Sequence, residues 1–352
     1  MTNLMHYLKQ AVEDQASDLF IVAGGMVSEK LDGRIQPISP EKVLPPQTQA
    51  LISALYQLAA RPMDGFLRSG DDDFSFAVPG LARFRVNAYR QRGSLAAVVR
   101  VVAFDIPNWQ DLGIPQAVMN LADLAHGLVL FTGAAGSGKS TTQACIIDRI
   151  NRTREAHIIT LEDPIEYLHR DQKSIVSQRE IAIDTADYLS GLRACLRQAP
   201  DVILLGEMRD HETIRTAMTA AETGHLLIAT LHTKGTVNSI DRIVDSFPST
   251  QQTQIRVQLS MVLHTVVSQQ LLPDKNGGLV PAYEIMHMNS AIRAMIRDCK
   301  SHQIDNAIAA GSGEGMRSMD QSILALYQAG TITRETALDY ADNPEQMCRR
   351  LR

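Results

Sequence analysis

A glycine-rich loop at residues 133–140 constrains this chain more than any other feature of its sequence. The run GAAGSGKS matches the P-loop pattern G-x4-G-K-[ST] in full. An apolar run, 128–131, precedes it, and a helical pattern containing Ile146, Ile147 and Ile150 follows it. In this strand–loop–helix context, backbone N–H groups and the helix N-terminus converge on phosphate oxygens. The sequence therefore predicts a nucleotide-binding α/β domain.

The loop also predicts which residues hold the nucleotide. Lys139 is placed to reach the β- and γ-phosphates, and the Ser140 hydroxyl is a ligand for Mg²⁺. We therefore expect ATP and Mg²⁺ to bind here. The predicted nucleotide-binding residues are Gly133, Gly136, Ser137, Gly138, Lys139, Ser140 and Thr141.

Three further apolar runs end in polar residues. TLEDPIEY contains Glu162, DVILLGEMRD contains Glu207, and ETGHLLIATLHT contains His225 and His232. The carboxyl ends of parallel strands line one crevice, so we expect Glu162, Glu207 and His232 beside the P-loop as catalytic residues. The alternative for each acid is a cap on the following helix. We expect His225 to tie strands together.

The order of patterns predicts two domains. Residues 1–103 mix short helices with strand-like runs such as ARFRVNAYRQRG and LAAVVRVV, an α+β pattern with antiparallel strands. Two prolines, a glycine and the single tryptophan in 104–116 are typical of a linker. From 117 to 352 strands alternate with helices around a mostly parallel sheet, and beyond about residue 251 the pattern becomes mainly helical.

Composition excludes several classes of protein. The net charge of -5 argues against a dedicated nucleic-acid binder, and the four cysteines form no CxxC metal or redox motif. The N-terminus is too polar for a signal peptide, and no apolar run reaches the roughly 18 residues of a membrane span. We therefore expect a cytoplasmic protein.

The four motifs together resemble those of a known family. In order and spacing, GAAGSGKSTT, TLEDPIEY, PDVILLGEMRD and AETGHLLIATLHT resemble the Walker A, Asp box, Walker B and His box of the secretion-type ATPases. The segment AIRAMIRDCK and the tail that follows it resemble the retraction ATPases of type IV pili. The tetracysteine insertion common in assembly and type II secretion ATPases is absent. Departures are the Ala134-Ala135 pair in the loop and Arg-Ala-Met in place of the usual Arg-Asn-Leu.

The resemblance implies a PAS-like N-terminal domain, a RecA-like ATPase domain with a helical C-terminal part, and a homohexamer. It implies a motor that retracts pili from the cytoplasmic face of the inner membrane through an inner-membrane platform protein. Glu162 is expected to polarise water, and Glu207 to lie near Mg²⁺ and the γ-phosphate. His232 is expected to bond that phosphate. Which of the two acids activates water stays open.

The N-terminal arginines have three interpretations, of which nucleic-acid binding is weakened by the acidic total charge and the few aromatic residues nearby. Arg83, Arg85, Arg90, Arg92 and Arg100 are either a solvated strand face or a clamp on the nucleotide, and in the resembled family some of them meet phosphate. Arg83 and Arg100 are the predicted catalytic pair.

In the C-terminal segment, Ile292, Met295, Ile296 and Cys299 are spaced as one apolar helical stripe, with Arg293, Arg297 and Lys300 on another face. This helix is either a packing element or the part that transmits movement to the pilus machine.

The alternatives to a retraction motor are an accessory retraction ATPase, a type IV secretion ATPase, and a nucleotide-gated scaffold with negligible turnover. A RecA-like nucleic-acid motor is a further alternative; stimulation of ATPase activity by single-stranded DNA would support it, and the absence of a basic excess counts against it. Steady-state phosphate release separates the scaffold from the enzymes.

Overall fold

The computed structural model describes residues 2–31, 33–102 and 106–351. The chain forms two compact units, Met1–Asp105 with Glu166–Leu168, and Ile106–Ile165 with His169–Arg352. The predicted domain end at 103 and the first two linker residues, 104 and 105, lie outside the described residues.

The first unit is a six-stranded antiparallel sheet with three helices. Its strands run in the order β3-β2-β1-β6-β5-β4. The strands are β1 Asp18–Ile21, β2 Met26–Leu31, β3 Arg34–Lys42, β4 Asp71–Val78, β5 Ala82–Gln91 and β6 Ser94–Val102. The helices are α1 Thr2–Glu13, α2 Pro45–Leu58 and α3 Asp64–Ser69.

Alternation along β5 shows why this sheet has one covered face. Phe84 and Val86 are fully buried, whereas Arg83 and Arg85, which alternate with them, point to the other face. The buried face packs against α2, whose residues Ile52 and Leu55 are also fully buried. A period of two in polarity therefore fixes which side of each strand faces the core.

The second unit is built on a seven-stranded sheet in the order β13-β12-β7-β11-β10-β8-β9, parallel except for the β12–β13 pair. Its strands are β7 Gly127–Thr132, β8 His157–Glu162, β9 Ile175–Glu180, β10 Val202–Leu205, β11 Leu226–Leu231, β12 Leu263–Pro273 and β13 Leu279–His287. Its helices are α4 Gln116–Met119, α5 Lys139–Thr153, α6 Tyr188–Cys195, α7 His211–Glu222, α8 Thr236–Asp245, α9 Ser249–Val262, α10 Ser290–Arg297, α11 Ile304–Ala310, α12 Met319–Gln328, α13 Arg334–Tyr340 and α14 Pro344–Arg350.

Helices cover both faces of this sheet, so strand β7 is buried along its whole length. All residues of β7 are buried. Leu128 and Leu130 pack into a core with α7 and α8, whereas Val129 and Phe131 pack against α5. Such uninterrupted apolar runs are typical of parallel strands buried on both faces.

Two strands occur where the sequence predicts mainly helix. β12 begins at Leu263, the residue immediately after α9, and no glycine, proline or other turn residue separates them. β12 pairs with β7, and β13 returns antiparallel to it. The prediction of helix from 251 is therefore wrong for 263–287, because long-range pairing sets that structure.

The predicted linker packs against the second unit in its described part and is not an exposed connection. In its described part, 106–116, Ile114 is buried, and Ile106, Trp109 and Leu112 pack against the core around α5. The segment belongs to the second unit because its apolar side chains are buried there.

Candidate functional site

The P-loop joins β7 to α5 in a conformation that glycine permits. Gly133 and Gly138 have φ angles of 139° and 86°. A Cβ on Gly133 would overlap the carbonyl oxygen of Gln269 and lie 2.8 Å from Ser137 Oγ. Backbone of β12 thus closes tightly on the loop, and a side chain at this position would displace it.

The side chain of Lys139 lies across this loop. Its Nζ donates hydrogen bonds to the carbonyls of Gly133 and Ala134, both at 2.8 Å, and the residue is only 7% exposed. Ser137 is buried, Ser140 is exposed in the first turn of α5, and Thr141 is half-buried. The loop therefore presents an ammonium, a helix N-terminus and an exposed hydroxyl together, the donors that a Mg²⁺-bound triphosphate requires.

Gln269 supports the loop from β12, and the sequence gives no signal for it. Its Oε1 accepts a hydrogen bond of 2.9 Å from Thr142 Oγ1, which also lies 3.3 Å from the Tyr283 hydroxyl. Gln269 is 2% exposed, and burial raises the pKa of Tyr283. This buried polar network links α5 to β12 and β13.

The order of the sheet brings the other predicted residues to neighbouring strand ends. From β7 outward the strands are β11, β10 and β8. His232 directly follows β11, Glu207 lies two residues beyond β10, and Glu162 is the last residue of β8. The P-loop and these three side chains therefore occupy four consecutive carboxyl ends, where ligands bind in open α/β sheets.

Glu207 is held by two basic side chains. His232 Nε2 lies 3.3 Å from Glu207 Oε1, and Arg209 Nε donates to Oε2 at 2.6 Å. The hydrogen bond to Glu207 raises the pKa of Arg209. The sequence pattern does not single out Arg209, although this residue lies in the GEMRD motif. Together with Arg242, these side chains line a cavity of about 330 Å³.

Glu162 is held by two polar side chains. Its Oε1 accepts a hydrogen bond of 2.6 Å from Thr160 Oγ1 and one of 3.2 Å from Gln178 Nε2. Thr160 lies on β8 and Gln178 on β9. Glu162 is thus not a cap on a following helix, because the turn after it leads to β9.

The side chain of His225 bonds to the end of a helix. Its Nδ1 lies 2.9 Å from the carbonyl oxygen of Ala220 and 3.2 Å from Thr223 Oγ1. The side chain therefore fixes the end of α7 to the start of β11, while the backbone carbonyl of His225 accepts a hydrogen bond of 3.0 Å from Gly127 N–H at the start of β7.

The N-terminal arginines do not form one cluster. Arg85 is paired across the strands with Arg100, and Arg83 lies on the same face of β5. Arg90 has the opposite parity, and Arg92 lies in the turn between β5 and β6 with φ of 49°. Only three of the five arginines therefore share a face, because the turn and the alternation of β5 separate the others.

Arg100 is held within the first unit by an ion pair. Its Nε lies 3.0 Å from Oδ1 of Asp18, a carboxylate that is 6% exposed. The Arg100 side chain itself is 64% exposed, so its guanidinium faces solvent beside a nearly buried acid.

The C-terminal segment forms a shorter helix than its pattern predicts. α10 ends at Arg297, and Cys299 is exposed with φ of 59°, so it does not continue the apolar stripe. Ile292 and Ile296 are fully buried. Arg293 Nη1 donates to the carbonyls of Ser260 and Met261 at the end of α9. Arg293 is therefore a packing contact, whereas Arg297 is exposed.

Known proteins share this architecture over almost the whole chain. Residues 1–311 match the family model described as type II/IV secretion system protein. The chain belongs to this family. It is 42% identical to the type IV pilus retraction ATPase PilT of Pseudomonas aeruginosa, over 97% of this chain and 99% of that protein. It is 38% identical to the type IV pilus ATPase PilU of the same organism, over 97% of this chain and 89% of that protein.

Solved structures agree with the sequence comparison. A crystal structure of the pilus retraction motor PilT with bound ADP matches with a TM-score of 0.88 and 43% identity, covering 97% of this chain and 98% of that one. These matches confirm the predicted secretion-type ATPase and its fold class, with an antiparallel-sheet unit, a parallel-rich unit and C-terminal helices. Within the described ranges, no helix is both long and apolar enough to cross a bilayer.

Proposed function

We propose that this protein is a hexameric motor that hydrolyses ATP to retract type IV pili. The observation that carries the proposal is the alignment of the P-loop, His232, Glu207 and Glu162 at four consecutive strand ends. Similarity to a pilus retraction ATPase over nearly the full length of both proteins supports the choice of pilus retraction.

The proposed chemistry assigns a role to each of these side chains. Lys139 and the loop amides bind the phosphates, and Glu162 orients and deprotonates the attacking water. His232 contacts the γ-phosphate. Its contact with Glu207 makes the site respond to whether that phosphate is present. Ser140 and Glu207 offer the oxygen ligands that Mg²⁺ prefers, and the ion neutralises charge on the phosphates when bound.

The proposal extends to the N-terminal arginines and to the partners. Arg83 and Arg100 would bring positive charge to the phosphates in the assembled ring, with Arg100 exchanging the Asp18 carboxylate for phosphate oxygens. The chain would act at the cytoplasmic face of the inner membrane, on an inner-membrane platform protein and without nucleic acid. Residues 1–103 and 117–352 would be its two moving domains.

Deletion of the gene tests this function in cells. We expect cells without it to keep surface pili but to lose fibre shortening, as followed by fluorescence microscopy of labelled pili. The wild-type gene should restore shortening, whereas a Lys139→Ala gene should not. Normal shortening in the deletion strain, with no second retraction ATPase present, contradicts the proposal.

An accessory retraction ATPase is the second candidate, supported by the 38% identity to PilU. Such a protein adds force to another motor but cannot replace it. Expression in a strain that lacks every retraction ATPase separates the two functions, because only a primary motor restores shortening there.

A further inference from the structure

The register of β8 and β9 places four polar side chains on one face of the sheet. Thr160 is paired directly with Gln178, and Glu162 follows Thr160 by two residues. The fourth is Glu180, which is paired with Glu162 and whose Oε2 accepts a hydrogen bond of 3.4 Å from the backbone N–H of Ile165. Side chains two apart on a strand share a face, as do paired residues of neighbouring strands. Ile158, two residues earlier on this face, packs against α5, the helix that begins at the P-loop. The polar set thus lies on the face that carries the nucleotide loop.

Thr160 is a polar residue on a buried strand of this sheet. It is completely buried, and its hydroxyl donates to Glu162 Oε1 at 2.6 Å. A short hydrogen bond from a hydroxyl to a carboxylate is of the stronger, charge-assisted kind. Because valine has the same shape, packing alone does not require the hydroxyl here.

Gln178 supplies the second donor, and its amide is fixed at both ends. Gln178 Oε1 accepts a hydrogen bond of 2.8 Å from the backbone N–H of His169. That bond assigns the amide orientation and turns Nε2 towards Glu162 Oε1, at 3.2 Å. His169, which follows the Asp box, thus orients the Gln178 amide, and the amide in turn orients Glu162 at the end of β8.

We propose that Thr160 and Gln178 are positioning residues, which aim the Glu162 carboxylate at the attacking water and keep it ionised. The inference rests on the proposed role of Glu162. Both donors bond to Glu162 Oε1, which sets the rotation of the carboxylate group. That rotation in turn sets the direction of Oε2. Both also favour the charged form, which a general base requires.

Single-turnover hydrolysis of Mg-ATP by the purified full chain, measured from pH 5 to 9, tests this inference. Thr160→Val removes the hydroxyl and keeps the shape, and Thr160→Ser restores the hydroxyl. Gln178→Leu removes the second donor. Thr265→Val is the matched control, since Thr265 is also a fully buried strand threonine, bonded to His264 and His287 instead.

We expect Thr160→Val and Gln178→Leu to slow hydrolysis about tenfold to a hundredfold, with ATP affinity unchanged. The acid limb of the rate profile should move to higher pH, since a carboxylate that loses a donor protonates more readily. Thr160→Ser should recover most of the rate and the original limb. Thr265→Val should match the wild type in both the rate of hydrolysis and the position of the acid limb.

Glu162→Gln separates the two possible failures. Wild-type turnover in Glu162→Gln refutes the role of Glu162, and the inference falls with it. If Glu162→Gln is inactive while Thr160→Val and Gln178→Leu keep the wild-type rate and acid limb, the positioning role alone is wrong. A slower rate with an unmoved limb, not recovered by serine, indicates a purely structural effect and also overturns the inference.

Discussion

The substitution Gly133→Ala tests whether β12 packs tightly against the P-loop. The substitution adds one methyl group at a φ of 139°, where the new Cβ overlaps the Gln269 carbonyl and lies 2.8 Å from Ser137 Oγ. The carbonyl belongs to β12, which is paired on both sides with β7 and β13, so it cannot move far. Either the loop or β12 must shift.

The expected cost follows from these contacts. An unfavourable φ and an overlap with fixed backbone together destabilise by about 3 kcal/mol. Gly136→Ala is the matched control, because Gly136 has φ of 75° but nothing lies within 4 Å of its Cβ. Its cost is about 1 kcal/mol, from the left-handed backbone alone.

Thermal unfolding and nucleotide titration measure the difference. At about 2–4 °C per kcal/mol for a domain of this size, Gly133→Ala should lower the Tm by about 6–12 °C and Gly136→Ala by about 2–4 °C. Gly133→Ala should also lose affinity for a fluorescent ATP analogue, because the loop amides are displaced. Equal losses of Tm in the two variants would refute the close approach of β12 to the loop.

Three further predictions concern stability, each measured as Tm against pH. Burial raises the pKa of Glu284 above its unfolded value, so wild-type stability declines as pH rises through that pKa. Glu284→Gln should therefore unfold at a higher temperature than wild type at pH 8, with the gain vanishing in acid. Burial lowers the pKa of His169 from 6.5 to about 4, so the unfolded chain binds the extra proton and stability falls as pH drops between these values. His169→Gln should flatten that decline. Arg293→Glu should lower the Tm at every pH by breaking the contact to α9, whereas Arg297→Glu should not.

Local patterns predict the nucleotide loop and its surroundings well. The P-loop, its strand and its helix occupy adjacent positions in the chain, so spacing alone identifies them. Glu162, Glu207 and His232 also end strands as expected, since apolar runs with polar ends are local signals. Their meeting at one edge follows from parallel strands, a general rule of this architecture.

Long-range contacts account for what sequence reasoning missed. Gln269 supports the loop from a strand more than a hundred residues further along the chain, and β12 gains its strand structure by pairing with β7. Gln178 reaches Glu162 only through the β8–β9 register. The arginines of β5 and β6 look like one basic run, but a turn and the alternation of the strand divide them.

Phosphate release by the purified protein tests the central claim, that the P-loop edge of the sheet is an ATPase site. Three proteins are assayed with Mg-ATP at equal protein concentration: the wild type, Lys139→Ala and the exposed control Lys173→Ala. Their Tm values should agree, so that a loss of turnover does not come from unfolding. The account predicts steady turnover by the wild type and Lys173→Ala, and none by Lys139→Ala. Hydrolysis by Lys139→Ala at the wild-type rate would contradict it.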